Sequence, residues 1–361
     1  MVAAWLVIVN IFALLAFNRL NLAPDTSMEW MSPQTVAPVQ PNWNVIDLHN
    51  RWDSYWYLDI AQKGYELRGE KDPANVVFFP LYPILVYLTG FATGENLVLA
   101  GWIISCISLA LAVWMLVRLT QEFHPDIHPL LPAVFLLLYP SAFFLNAVYS
   151  ESLFLFLSLA MIFWARRGNF WLAGAFAGLA SATRVAGLFL CVLLLAEFIQ
   201  ANGWRALFTR RVWPLALAPA GILAFFIHHW IVFGDFFLYL SVQRAYGRDF
   251  EMEAADFLIR TSPDLVVTAL DWFFIAATFF LGIIALLRLR PSYGLYMLVS
   301  LGIALGSGSF LGAARYSMVL FPIHLIGAGI RSDVGRGAWL CGSTLLLALN
   351  IICFVNHYWA G

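Results

Sequence analysis

Apolar residues in this chain fall in long blocks separated by short polar connections, the pattern of a chain that crosses a bilayer repeatedly. The blocks occupy about 3–17, 97–118, 130–148, 151–165, 170–183, 185–200, 213–233, 265–287, 293–307, 316–330 and 338–356. A helix that spans the hydrocarbon core needs roughly 20 apolar residues, and tilt, local thinning or flanking anchors accommodate shorter ones. A further stretch, 77–93, carries Pro80 and Pro83 and reads as a re-entrant element or a twelfth crossing. The first block lacks a basic leader and an Ala-x-Ala site, so it is expected to be a retained helix rather than a cleaved signal.

Arginine placement selects among these topologies. With 77–93 not crossing and the N-terminus inside, the cytoplasmic connections are 119–129, 166–169, 201–212, 288–292 and 331–337. They hold or border Arg118, Arg166, Arg167, Arg205, Arg210, Arg211, Arg288, Arg290, Arg331 and Arg336. Were 77–93 to cross, all of these would face outward. The expected fold is therefore an all-α polytopic membrane protein of about eleven transmembrane helices, one domain over 1–361. Its N-terminus would be cytoplasmic and its C-terminus extracytoplasmic. Arg19, just after the first block, argues weakly for the opposite orientation and is outvoted by the five later loops.

Composition agrees with this count. Apolar residues make up 62% of the 361, enough for about eleven crossings, whereas charged residues are only 11% against roughly 25% in soluble domains. That excludes a soluble globular protein, a disordered chain and a nucleic-acid binder. All four cysteines lie inside apolar blocks, so neither a disulfide framework nor a thiolate metal site is expected.

The charges are unevenly spread. Of 41 charged residues, 13 lie in 18–76 and 9 in 234–264, the two long outward-facing segments. Long loops in a compact protein are usually functional. The first contains the densest constellation, Arg51-Trp52-Asp53-Ser54-Tyr55-Trp56-Tyr57. A helix over 50–63, capped by Gly64, puts Asp53, Trp56, Tyr57 and Ile60 on one face. Lying along the membrane surface, it holds Asp53 where a carboxylate can act as a general base. An aromatic interfacial belt with incidental charges explains the same composition.

Three smaller groups stand at expected outer turns. Tyr149-Ser150-Glu151-Ser152 places a carboxylate at a hairpin mouth, where it either caps a helix or lines a cavity. Thr183-Arg184 and Arg315-Tyr316 place arginines against the topological bias. Their planar forks suit phosphate, although snorkelling to headgroups is the plain alternative. Arg244, in the second loop, is a third cation candidate. His228, His229 and His324 show no metal-ligand spacing and read as packing residues. Glu197 and Asp271 lie near helix ends and need no special role.

There is no Walker loop, no Gly-x-Gly-x-x-Gly after a strand and no Asp-x-Asp pair for a metal-bound sugar nucleotide. The short cytoplasmic loops could not form a nucleotide-binding domain. An enzyme built this way works on the outer side and takes an activated donor already in the membrane, such as a lipid-linked phosphate.

Trp52-Asp53 followed by Ile60-Ala61-x-x-Gly64-Tyr65 and Phe78-Phe79-Pro80-x-x-Pro83 resembles the first-loop signature of the GPI mannosyltransferase 2 family. So do Pro140-Ser141-Ala142-x-Phe144, Tyr149-Ser150-Glu151-Ser152-Leu153-Phe154 and Ala182-Thr183-Arg184-x-x-Gly187, with a weaker echo at Arg315-Tyr316 and Phe321-Pro322. The family usually has Arg-Ser-Asn-Gly where this chain has Arg184-Val185-Ala186-Gly187, which bears on acceptor identity. The resemblance implies a bacterial member of the GT-C glycosyltransferases in the plasma membrane. It implies inverting mannosyl transfer from a polyprenyl-phosphate (dolichyl-type) donor to a membrane-associated glycolipid, glycan or protein acceptor. No metal or other cofactor is expected. It makes Asp53 the base, and Arg51, Trp52, Trp56, Tyr57, Tyr149, Glu151, Arg184, Arg244 and Arg315 the substrate-binding candidates. The rival class is a secondary transporter or lipid flippase using Glu151, Arg184 and Glu197. It is disfavoured because no internal repeat is visible and the charges gather at outer helix ends.

Overall fold

The computed structural model describes residues 1–17, 45–68, 73–243, 246, 265–306, 312–356 and 358, and every regular element among them is helical. Arg244 and most of the two long loops lie outside the described residues. In chain order the helices are α1 (Val2–Ala16), α2 (Ser54–Lys63), α3 (Leu81–Gly90), α4 (Leu97–Phe123), α5 (Leu131–Leu137) and α6 (Glu151–Arg166). They continue with α7 (Phe170–Ser181), α8 (Gly187–Asn202), α9 (Ala220–Phe233) and α10 (Leu238–Gln243). The last five are α11 (Leu265–Ile284), α12 (Pro291–Gly306), α13 (Ala313–Met318), α14 (Pro322–Ala328) and α15 (Asp333–Val355).

Helix α6 is apolar on all sides and buried along nearly its whole length, as a central helix must be. It packs against α4, α7 and α8. Its first residue, Glu151, has no exposed surface, so the packing that buries the helix also buries a carboxylate. Polar residues end the surrounding helices cleanly. Asn96 caps α4 by accepting the Leu99 N–H at 3.0 Å, and Asn169 caps α7 by accepting that of Leu172 at 3.1 Å.

The apolar blocks do not all become continuous helices. Among the described residues, three helices are by themselves long and apolar enough to cross a bilayer: Leu97–Phe123, Ala269–Leu289 and Asp333–Val355. A fourth apolar pair, Arg210–Leu217 and Ala220–Phe233, is bent by 56° at a break that holds Pro219, the geometry of a broken span or a re-entrant loop. Block 130–148 stops as a helix at Leu137. Pro140 lacks an N–H and disfavours helical backbone at Tyr139, and the chain resumes as a 3-10 turn over Ala142–Asn146. Block 316–330 breaks before Pro322 in the same way. Helix α3 covers only ten residues of stretch 77–93, about 15 Å or half the thickness of a hydrocarbon core.

Carbonyls freed by such breaks need partners away from water. Asn350 of α15 donates to the Pro140 carbonyl at 2.8 Å, and Ser141 Oγ donates to the Ala314 carbonyl at 2.8 Å. The Tyr139 and Ser317 hydroxyls meet at 2.7 Å. The two breaks thus face each other, and the turn leading to Glu151 sits beside the short helix that carries Arg315.

The opposite end of the bundle is tied by its own polar network. Glu197 accepts both nitrogens of the Arg290 fork at 2.6 and 2.8 Å and is also bonded by Ser292. Tyr293 OH accepts from Arg166 at 3.3 Å, and His124 lies 3.5 Å from the same oxygen. Burial, reinforced by Arg166 and Arg290, lowers the His124 pKa to about 4. Glu197 stands ten residues along α8 from Gly187, about 15 Å from the end beside Arg184. Glu151, Arg184 and Glu197 therefore do not form one charged path.

Candidate active site

Asp53 stands at the N-cap of α2, but its side chain makes no capping bond. The helix starts at Ser54, later than the expected 50–63, because Trp52 adopts a left-handed backbone with φ +54°. That conformation is unfavourable for a bulky residue and persists only where neighbours enforce it. Tyr149 supplies the enforcement: its hydroxyl accepts from the Asp53 N–H at 3.1 Å and donates to the Arg51 carbonyl at 3.0 Å. The two ends of the strained turn are thereby pinned to the start of α6.

The freed carboxylate faces a cation. Arg315 Nη1 donates to Asp53 Oδ2 at 2.8 Å, across 262 positions of sequence. The same guanidinium places Nε 3.4 Å from Glu151 Oε1, and Arg184 pairs with that oxygen from the other side. The result is a chain of alternating charge, Asp53–Arg315–Glu151–Arg184, with two carboxylates and two guanidiniums. The ring faces of Phe144, Tyr149 and Tyr316 lie 5.4–5.5 Å from the Arg315 guanidinium. Such stacking favours arginine over lysine. Side-chain exposure is 0% for Glu151, 7% for Arg315 and 19% for Asp53, so Asp53 is the most accessible of these three.

Arg184 reaches the cluster from the tight turn between α7 and α8. A Cβ on Gly187 would lie 2.4 Å from Ser181 Cα, so only glycine lets this turn close. Ser150 joins the cluster to α2: its hydroxyl meets Tyr57 OH at 2.9 Å and accepts from Arg184 Nη1 at 3.4 Å. Burial, with the Glu151 charge second, raises the Tyr57 pKa above its ordinary value, so the phenol remains protonated.

The structure thus brings together Asp53, Tyr57, Tyr149, Glu151, Arg184 and Arg315. It does not bring Arg51 or Trp56 to the same point. Arg51 turns back on its own segment, donating to the Asp47 and Asn50 carbonyls at 2.6 and 2.9 Å. Trp56 is buried against Phe78, with Arg68 5.1 Å above its ring. Trp52 contributes its backbone turn and is itself buried. Ser150 was not among the expected residues, although its place in Tyr-Ser-Glu-Ser was a signal. Among the described residues no group of three or more His, Cys, Asp or Glu is placed to hold a metal ion.

An apolar cavity of about 550 Å³ lies beside the cluster. Its lining includes Ala61, Ile84, Ala182, Ala224 and Phe225. Ala61 is one helical turn beyond Tyr57, and Ala182 is two residues before Arg184. Two elements that contribute to the cluster, α2 and the turn after α7, therefore also contribute to the wall of the groove.

The family model described as Mannosyltransferase (PIG-V) matches residues 3–242. The chain belongs to the PIG-V mannosyltransferase family. All cluster residues except Arg315 lie within that match. The Rattus norvegicus GPI alpha-1,6-mannosyltransferase 2 is 28% identical over 181 residues, and the Mus musculus protein 28% over 183. Each match takes in 46% of this chain and 36% of the relative, so the aligned stretch spans about a third of the length of these relatives. In fold, the chain is similar to ArnT from Cupriavidus metallidurans, crystallised bound to undecaprenyl phosphate. The TM-score is 0.53 with 14% identity over 96% of this chain and 64% of ArnT. Membership of this family, the ArnT-like helical fold and the three helices long and apolar enough to cross a bilayer mark an integral membrane protein.

Proposed function

We propose that this PIG-V family member transfers a mannosyl unit from a polyprenyl-phosphate donor to a hydroxyl of a membrane-associated acceptor. The observation that carries the reading is the Arg315 guanidinium shared between Asp53 and Glu151, with Arg184 behind it. The acceptor oxygen attacks the anomeric carbon as its bond to the phosphate oxygen breaks. The configuration inverts, the acceptor proton passes to Asp53, and the electron pair leaves with the polyprenyl phosphate. A phosphate leaving group needs no general acid, so one carboxylate suffices, unlike the paired carboxylates of glycosidases. Arg315 and Arg184 stabilise the departing charge.

In this reading the resting cluster is self-neutralised. The donor phosphate competes with Asp53 for Arg315, and its arrival frees Asp53 to accept a proton. The apolar cavity takes the first part of the isoprenoid chain. The chemistry is placed on the extracytoplasmic side of a bacterial plasma membrane. About eleven crossings, an N-terminus inside and a C-terminus outside complete the arrangement. The acceptor is a glycolipid, a glycan or a protein, and no metal or cofactor takes part.

The test uses purified protein in liposomes with undecaprenyl-phosphate mannose labelled in the sugar, and water or a membrane extract as acceptor. Wild type should release or transfer labelled mannose. Asp53→Asn should reduce the rate by about 10²–10⁴-fold, the usual worth of a positioned base. Full activity in that variant would remove Asp53 from the mechanism. Movement of donor between leaflets without covalent product would instead support the transporter class.

A further inference from the structure

Asp271 is a buried carboxylate in the α11 span, 6% exposed, and no cation pairs with it among the described residues. Placing an ionisable side chain there costs several kcal/mol by order of magnitude, so its retention calls for a compensating role. Its bonds indicate one. Asp271 Oδ1 accepts the Ala313 N–H at 3.0 Å, and the Gly312 N–H also bonds to the carboxylate. These amides begin α13, where Gly312 turns with φ +86° and the six-residue helix Ala313–Met318 follows. Arg315 is only two residues beyond Ala313.

A helix this short has too few internal hydrogen bonds to fix its own direction. Apart from the ion pairs of Arg315 itself, the other side-chain anchors of α13 are uncharged and grip it later: Ser141 Oγ at the Ala314 carbonyl and Tyr139 at the Ser317 hydroxyl. Asp271 is the one that fixes where the helix starts. Moving that start by an ångström would move the Arg315 guanidinium relative to both of its carboxylates, whose distances are 2.8 and 3.4 Å.

We propose that Asp271 is a positioning residue that holds the start of α13, and through it Arg315, in register with Asp53 and Glu151. The kinetic part of this inference rests on the reading of Arg315 as a donor-phosphate ligand; the structural part does not. Two measurements separate them. In transfer assays Asp271→Ala should lower kcat/KM for polyprenyl-phosphate mannose on the order of ten- to a hundredfold, the scale of a misplaced positioning group. The acceptor KM should hold, and Asp271→Asn, which keeps an acceptor oxygen for Ala313, should recover most of the loss. Wild-type kinetics in Asp271→Ala, an equal rise in acceptor KM, or no recovery in Asp271→Asn would overturn the proposal.

The second measurement requires no turnover. Asp53→Asn lowers the melting temperature of purified protein by breaking its pair with Arg315. In the Asp271→Ala background that drop should shrink by more than half, because the pair is already out of register. Strict additivity would overturn the proposal. Asp271→Ser replaces Asp271→Ala if the latter does not fold. If wild type shows no transfer, the functional reading fails and the stability cycle alone decides the role of Asp271.

Discussion

Glu151 is the residue whose replacement most directly tests how the cluster is held together. Its carboxylate is fully buried between Arg184 and Arg315, and Asp53 is the only other anion in the chain of charges. Glu151→Gln keeps the shape but leaves two guanidiniums sharing one carboxylate. Removing one partner of a buried pair costs about 3–5 kcal/mol. The contacts of Glu151 with the arginines are ionic, with no hydrogen bond at either oxygen; a glutamine oxygen turned towards a guanidinium recovers about 1 kcal/mol and leaves a net loss of about 2–4 kcal/mol. At roughly 2 °C per kcal/mol for a chain of this size, the melting temperature should fall by about 4–8 °C.

The same substitution exposes both arginines to an incoming anion. Undecaprenyl phosphate should therefore raise the melting temperature of Glu151→Gln more than that of wild type, by linkage of binding to folding. In transfer assays the donor KM should fall and kcat should fall with it, because the product phosphate leaves more slowly. Tryptophan-fluorescence melts of detergent-solubilised protein, with and without the lipid phosphate, read both effects. A variant that melts within a degree of wild type and gains no more from the lipid would refute the account of Glu151 as the counter-charge of the two arginines.

Two further outcomes follow from neighbouring residues. Tyr149→Phe removes both bonds that pin the Trp52 turn. It should lower kcat about tenfold through misplacement of Asp53, leave donor KM within twofold, and cost about 1 kcal/mol in stability; a raised donor KM at unchanged kcat would instead make Tyr149 a direct substrate contact. His49 is fully buried between the rings of Trp102 and Phe143, and burial, with Arg51 adding, lowers its pKa to about 3. An unfolded histidine, titrating near 6.5, binds its proton first on acidification, so this group's stability contribution is intact above about pH 6.5 and declines as pH falls towards 3. The loss should reach about 2 kcal/mol by pH 5. Between pH 7.5 and 5 the stability of wild type relative to His49→Phe should fall by about that amount; parallel melting curves would refute the linkage.

Much of this was legible in local sequence. The apolar blocks marked a polytopic helical membrane protein because hydrophobicity is a property of each segment by itself. The carboxylates and arginines at the expected outer turns, Asp53, Glu151, Arg184 and Arg315, could be singled out because charges beside apolar blocks are costly and need a reason. The Tyr-Ser-Glu-Ser and Thr-Arg-x-x-Gly stretches carried the family resemblance.

Pairing could not be read the same way. Asp53 and Arg315 meet across most of the chain because two broken helices face each other, and no periodicity encodes which break meets which. Apolarity also overstated helix continuity: blocks 130–148, 213–233 and 316–330 stay hydrophobic through their breaks, and only their prolines signal the interruptions. The expected 50–63 helix starts late because a tyrosine 97 positions beyond Trp52 holds that residue left-handed. Asp271 had no local mark at all, since a lone carboxylate near a helix end looks ordinary until the amides it binds are known. Burial preference is local and so is written in the sequence. Which charge neutralises which is decided by packing, because a buried charge is tolerated only where the fold delivers its partner.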